Sequence, residues 1–251
     1  MQLKILAVCD KGCVRDHNED MVLICDYIFK NESKQVTVDL NKENSKYFIA
    51  VADGMGGHNA GEVASEIVLQ KMSEKINELE INLIEKELSD RISEWTKEIH
   101  LYILNEGNID IAKRGMGSTL IGVLFYNGMA YYMNVGDSRL YRFRRGNLMQ
   151  ISRDHSLREM TGDEDVASNI IVNSFGGGEN IFVDFAPVGG KLLDEDILLL
   201  CSDGLSDMLT DDEIENILNE ENRFNNLLTE AKNKGGEDNI SIIILNIDSI
   251  F

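Results

Sequence analysis

The sequence predicts an α+β fold, mainly antiparallel sheets with helices stacked outside them. Three observations carry that prediction. Apolar runs of strand length, rich in Val, Ile, Phe and Tyr and bounded by Gly, Asn or Asp, recur along the 251 residues. Two long helical periodicities stand next to each other after the third run. The runs that come next follow one another without intervening helices, so the strand–helix alternation of a doubly wound parallel sheet is missing.

In chain order, residues 3–9 and 21–29 read as strands. A polar, hairpin-like insert lies between Phe29 and Tyr47, and a strand is expected at 47–52. Residues 62–79 carry Val63, Ile67, Val68, Met72 and Ile76 near helical spacing. Residues 83–104 repeat the pattern through Leu88, Ile92, Trp95, Ile99 and Ile103. That stripe is expected in the core, and His100 reads as a solvated residue on the polar face. Further strands are expected at 118–126, 129–135, 140–143, 181–185 and 197–201. Shorter helices fit 211–218 and 224–232, and a last strand fits 240–247. There is one proline, Pro187, and no Gly/Ser tract or fixed-period repeat, so residues 1–251 read as a single domain.

Lys and Arg number 24 against 44 Asp and Glu, a formal charge of −20. A nucleic-acid binder needs a basic face, and an anionic membrane surface repels an acidic one, so both partners are disfavoured. The apolar run at 3–9 is too short for a signal-peptide core and stops at Asp10. No stretch approaches the length of a spanning helix. The cysteines Cys9, Cys13, Cys25 and Cys201 form no CxxC pair, and no His is spaced to join one. They read as reduced core thiols of a cytoplasmic protein.

Four aspartates share one local grammar, each at an end of an apolar run beside glycine or a small residue. They are Asp53 in FIAVADGMGG, Asp137 in YMNVGDSR, Asp203 in ILLLCSDGLSD and Asp238 in GGEDNISIII. One Asp–Gly at a strand end is an ordinary turn. Four aspartate-bearing strand ends in one chain suggest convergence, because strand ends are rigid mounts and glycine lets a ligand approach the backbone. Converging carboxylates make an all-oxygen site, which selects Mg²⁺ or Mn²⁺ over zinc. The run RDHNED at 15–20 adds Arg15 four residues before the pair Glu19–Asp20. A guanidinium suits bidentate phosphate binding. Taken alone, that run also reads as a surface charge cluster.

Together these pieces resemble the metal-dependent serine/threonine protein phosphatases of the PP2C type, in their bacterial form. The matching stretches are VRDHNED (14–20), VADGMGGHNAGEVAS (51–65), GSTL (117–120), NVGDSRLYRFR (134–144), RDHS (153–156), LCSDGLSDML (200–209) and GGEDNISIIIL (235–245). They occur in family order over almost the whole chain. The resemblance implies a four-layer α-β-β-α sandwich, which agrees with the element order. It also implies a residue-by-residue set of roles. Asp53 matches the carboxylate that bridges two metals, and the Gly54 carbonyl a ligand of the second. Asp203 and Asp238 match ligands of the first metal. Glu19 and Asp20 match the acidic pair at the second, and the sequence leaves open which of them is the direct ligand. Asp137 matches the residue that, with Asp203, holds a third, weaker metal. Arg15 matches the phosphate-binding arginine, and Ser118 and Asn239 match supporting positions.

The implied reaction is hydrolysis of phosphoserine or phosphothreonine monoesters in proteins, by a water activated between two Mn²⁺ or Mg²⁺ ions. Positioning and charge stabilisation dominate such chemistry. The implied setting is a monomer in the cytoplasm that opposes a bacterial Ser/Thr kinase. A pseudophosphatase or regulatory module on the same fold is the alternative, although such proteins lose metal carboxylates and Asp53, Asp203 and Asp238 are all present. His58 in DGMGGH is the candidate general acid or substrate contact. Eukaryotic relatives carry histidine directly after the Asp–Gly, where this chain has Met55, so a metal-bound water and a helix-capping role for His58 stay open. His17 reads as structural, and His155 as ordering the turn after Asp154. The flap at 157–176 is short, with Asn173 and Ser174 where the family often has Thr and Arg, which bears on substrate choice.

Overall fold

A computed structural model describes residues 2–40, 46–56, 60–163, 166–167 and 170–248. The first half runs β1 (Gln2–Asp10), β2 (Met21–Ile24), β3 (Tyr27–Phe29), β4 (Glu32–Asp39), β5 (Lys46–Ala52), β6 (Gly54–Met55), α1 (Ala60–Glu78) and α2 (Glu85–Ile109). Next come β7 (Gly117–Ser118), β8 (Leu120–Tyr126), β9 (Met129–Val135), β10 (Arg139–Arg144), β11 (Asn147–Gln150) and α3 (Leu157–Thr161). The chain continues with β12 (Asp184–Pro187), β13 (Ile197–Cys201), α4 (Asp203–Ser206), α5 (Asp211–Leu218), α6 (Arg223–Asn233) and β14 (Ile240–Asp248).

Among the described residues, two six-stranded sheets form in the orders β11–β10–β13–β14–β1–β4 and β12–β9–β8–β5–β2–β3. The pairings are antiparallel. Side-chain alternation along the strands sets the layers. Ile243, Leu245 and Ile247 of β14 point between the sheets and join Leu3, Ile5, Val51, Ile121 and Leu198. Ile242 and Ile244 point the other way and join Ile214, Leu218 and Leu227 of α5 and α6. On the opposite sheet, Leu120, Leu124 and Tyr126 meet Leu69, Met72, Leu88 and Ile92 of α1 and α2. The layers therefore run helix, sheet, sheet, helix, the expected α-β-β-α sandwich. Each Leu or Ile side chain fully withdrawn from water contributes about 1.5–3 kcal/mol. Strands buried on both faces carry no polar alternation, which is why β13 and β14 read as unbroken apolar runs.

Several expectations are corrected. The run 21–29 is two strands, because Cys25 at φ 57° turns the chain between β2 and β3. The polar insert carries β4, an edge strand that pairs with β1 from Gln2↔Asp39 to Cys9↔Glu32. Only Val38 of β4 is buried, so no alternation betrays it. The strand expected at 181–185 is β12 at 184–187, where Pro187 is tolerated because β12 is at a sheet edge. β11 lies outside the strands that the apolar runs predict. It closes a hairpin on β10 through Arg145 (φ 52°) and Gly146 (φ 84°), the positive pair that a two-residue turn needs. His100 is 2% exposed, not solvated, and its Nδ1 accepts the Gly176 amide at 3.1 Å. It shares the buried stripe of Ile92, Thr96, Ile99 and Ile103. Cys9 and Cys201 are core thiols, but Cys13 is exposed and Cys25 half-buried.

Candidate active site

Strand register gathers the acidic motifs at one end of the sandwich. Met21 at the start of β2 faces Ala52 at the end of β5. Leu120 at the start of β8 faces Val135 at the end of β9. On the other sheet, Asp10 at the end of β1 faces Ile240, and Cys201 at the end of β13 faces Ile242. Glu19–Asp20, Asp53, Asp137, Asp203 and Asp238 therefore all leave or enter strands at the same end. A cleft of about 590 Å³ opens there, lined by Arg15, His17, Glu19, Asp53, Gly54, Asp137, Ile171, Asp203, Asp238 and Asn239 among others.

Backbone packing sets the positions of these groups. A Cβ on Gly54 would lie 2.1 Å from the Gly61 carbonyl oxygen and 2.6 Å from that of Glu19, so only glycine lets β6 pass this close to α1. The Gly54 amide donates to the Glu19 carbonyl at 3.2 Å, and Ser65 Oγ donates to the same oxygen at 2.6 Å. The Glu19 amide donates to Asn239 Oδ1 at 2.8 Å, while Asn239 Nδ2 donates to the carbonyls of Lys11 and His17, both at 2.9 Å. Asn239 thus ties the 11–19 loop to the start of β14. Asp53 is held by Thr119, whose Oγ1 accepts the Asp53 amide at 3.0 Å and whose amide donates to the Asp53 carbonyl at 2.9 Å. Ser138 Oγ shares a hydrogen bond with that Thr119 hydroxyl at 2.8 Å.

The acidic pair divides. Glu19 lines the cleft with Oε1 buried and unpartnered. Asp20 lies beneath, 1% exposed, and accepts a hydrogen bond from Ser202 Oγ at 2.8 Å. Arg15 stands at the rim, its side chain 55% exposed, and donates to Asp238 Oδ2 at 2.6 Å.

Withdrawal from water, followed by mutual repulsion, makes Asp20, Asp53, Asp137 and Asp203 reluctant to ionise. Burial pushes Asp53 well above the ordinary carboxylate range, with Asp20, Asp203 and Asp137 adding to it. Burial and then Asp203 lift Asp137 to about 7. Asp203 rises to about 6 through burial, Asp238 and Asp207. Asp20 rises to about 7 through burial, against the pull of the Ser202 and Ser241 hydroxyls. The hydrogen bond and charge of Asp238 raise Arg15.

The protein phosphatase 2C family model matches residues 31–239. The chain belongs to the protein phosphatase 2C family. The serine/threonine phosphatase stp of Listeria monocytogenes serotype 4b is 36% identical over 257 residues, covering 95% of this chain and 94% of the relative. The Streptococcus agalactiae serine/threonine phosphatase structure matches with a TM-score of 0.83 and 26% identity, covering 98% of this chain and 100% of that one. The catalytic domain of the phosphatase PstP, solved with two manganese ions, matches with a TM-score of 0.76 and 26% identity, covering 99% and 100%.

Phosphatases of the 2C family are metal-dependent. Glu19 Oε1, Asp137 Oδ1 and Asp203 Oδ1 are buried acceptors with no partner. A divalent cation is what such acceptors lack, and oxygen donors without Cys or His favour a hard one. As oriented, no three acidic, His or Cys side chains among the described residues already surround a common point. The fit therefore rests on the donor set and its orphaned oxygens.

Sequence reasoning missed the hydroxyl layer under this cleft: Thr119, Ser138, Ser202 and Ser65. Ser118 contributes through its backbone, pairing with Gly54 across β6 and β7, while its Oγ donates to the Thr119 carbonyl. The motif GSTL holds both hydroxyls, and only strand pairing tells which one faces Asp53. His17 lines the cleft, and its carbonyl accepts from Asn239. His58 lies outside the described residues.

Proposed function

We propose that this chain is a Mn²⁺- or Mg²⁺-dependent protein serine/threonine phosphatase whose reaction takes place in the acidic cleft. The observation that carries the reading is the convergence of Glu19, Asp53, Asp137, Asp203 and Asp238 on one cleft with Arg15 at its rim. Asp53 would bridge two cations. Asp203 and Asp238 would complete the first, and Glu19 with the Gly54 carbonyl the second. Glu19 would be the direct ligand of the acidic pair, because it lines the cleft while Asp20 lies beneath and accepts from Ser202. Asp137, beside Asp203, would serve a third and weaker cation. When bound, the cations neutralise the carboxylates and activate water and phosphate oxygens as Lewis acids.

The chain's own groups do the rest. Arg15 has N–H groups in a planar fork that matches two oxygens of a phosphoryl group, and its exposure leaves it free to swing from Asp238 to a substrate. Thr119 and Asn239 hold Asp53 and Glu19 through backbone hydrogen bonds, so the site is fixed before substrate arrives. We read residues 1–251 as one domain acting as a cytoplasmic monomer on phosphoserine and phosphothreonine proteins, opposite a Ser/Thr kinase. No helix among the described residues is long and apolar enough to cross a membrane. The relative stp, named a serine/threonine phosphatase, supports the substrate class.

The test is phosphate release from phosphothreonine peptides and p-nitrophenyl phosphate. We expect turnover with Mn²⁺ and none with EDTA. Activity that persists in EDTA overturns the metal-dependent reading. Calorimetry that shows no divalent-metal binding would favour the pseudophosphatase alternative.

A further inference from the structure

His155 is 4% exposed, and its polar groups are engaged. Its amide donates to the Gly136 carbonyl and its carbonyl accepts from the Val172 amide, both at 2.9 Å. Ring Nδ1 accepts from the Gly136 amide at 3.1 Å and from Asn173 Nδ2 at 2.8 Å. Asn173 is itself fixed in orientation, since the Phe182 amide donates to its Oδ1 at 3.2 Å and its Nδ2 donates to the Phe182 carbonyl at 2.9 Å. Two donors on Nδ1 leave the ring proton on Nε2, which faces Asp184 Oδ2 at 3.2 Å. The Phe182 ring covers the imidazole at 4.5 Å between centroids.

This cluster grips Gly136 from both its amide and its carbonyl. Gly136 sits at φ 108°, and a Cβ there would lie 2.6 Å from Thr119 Cγ2, so the turn is pressed against Thr119, between β7 and β8, and has little room to slide. The next residue is Asp137, buried, with Oδ1 unpartnered. On its other side, the Val172–His155 bond and the Ser156↔Ile171 bridge seat Ile171 in the cleft wall.

We propose that His155, oriented by Asn173 and Asp184, is a positioning residue that fixes the Gly136 turn and so aims Asp137 into the cleft. The inference rests on the metal-dependent reading above. Asn173, one of the two flap positions where the chain departs from the family's usual residues, gains a role of its own: it is the second donor that locks the imidazole. A hydrogen-bonded partner one step behind a metal-binding group is worth about 10–100-fold in metal affinity.

The test compares Mn²⁺ calorimetry and thermal melting for the wild type, His155→Asn, His155→Gln and Asn173→Ala. Asparagine puts an oxygen near the place of Nδ1 and keeps an acceptor for the Gly136 amide. Glutamine reaches the place of Nε2, keeps a partner for Asp184 and loses that acceptor. We expect His155→Gln and Asn173→Ala to weaken the weakest Mn²⁺ phase about 10-fold or more, with His155→Asn within about 3-fold of wild type. Melting temperatures should not follow that order. Wild-type binding in folded His155→Gln and Asn173→Ala, or losses in all three that merely track melting temperature, overturn the proposal. A wild-type protein that binds no Mn²⁺ fails the metal reading itself and removes the basis of this one.

Discussion

Asp203 begins α4 with Oδ1 buried and unpartnered, and Asp238 and Asp207 add to the burial that lifts its carboxyl to about 6. A raised carboxyl means that the folded chain binds more protons than the unfolded one between about pH 4 and pH 6. Its contribution to stability therefore falls as pH rises through that window, unless a cation compensates. In EDTA at pH 8, Asp203→Asn is expected to melt higher than wild type, by roughly 2–4 °C for each kcal/mol of relieved repulsion. In Mn²⁺ the order should reverse, because wild type gains binding free energy that the variant cannot match. Turnover should fall more than about 100-fold. An Asp203→Asn protein that keeps turnover would mean the site is misplaced. The acids were legible because a carboxylate at the end of an apolar run is a local signal, strongest at Asp53 and Asp203 where glycine follows. The hydroxyls beneath them were not. Whether Ser118 or Thr119 reaches Asp53 depends on the pairing of β6 with β7, which no window of sequence contains. His100 shows the opposite failure: the stripe of Ile92, Thr96, Ile99 and Ile103 runs beside it, and a histidine's polarity outweighed its spacing.

At the scale of elements, one ion pair joins three strands. Asp196, just before β13, accepts from Arg144 Nε and Nη2 of β10, each at 2.6 Å, and from the Leu193 amide at 2.6 Å. Its carbonyl accepts from the Ile247 amide of β14 at 3.0 Å. Burial pushes the Asp196 carboxyl up, but Arg144 and the Leu193 amide outweigh it and hold it below the ordinary carboxylate range. A depressed carboxyl contributes stability that is present above about pH 4 and lost as pH falls through its folded value. Asp196→Asn is therefore expected to cost about 1.5–3 kcal/mol at pH 7 by denaturant titration, since it removes hydrogen bonds to a charged group. The gap to wild type should shrink below about pH 4. A gap that stays constant from pH 7 to pH 3 would show that the charge contributes nothing. Strands such as β13 and β14 were legible because both faces are buried. β4 was hidden for the converse reason: it is an edge strand held by backbone bonds to β1, with Val38 alone in the core.

For the whole molecule, the charge of −20 is larger than the site explains. The proposed site uses Glu19, Asp20, Asp53, Asp137, Asp203 and Asp238, six of 44 acids, which leaves 38. Eleven acids and no Lys or Arg lie between positions 194 and 221, a stretch that contains Asp203 itself. Some of these are compensated: Asp196 by Arg144, and Glu213 by Lys234 at 2.5 Å. Asp207, four residues after Asp203, is exposed, yet partial withdrawal from water raises its carboxyl, with Asp154 and Asp238 adding to it while Arg139 pulls the other way. Bound cations would cancel the charge of their own ligands and leave that of the surrounding acids. The residual field should repel acidic phosphopeptides and gather basic ones. We expect kcat/KM for a phosphothreonine peptide flanked by Lys or Arg to exceed that of its Asp/Glu counterpart by about 10-fold at low ionic strength. The ratio should approach one as the Debye length falls to about 8 Å near 0.15 M salt. Equal kcat/KM at low salt would show that the field does not reach the substrate. A ratio that ignores salt would place the preference in direct contacts at the cleft rim, where Arg15 and Ile171 stand, rather than in the charge of the whole chain.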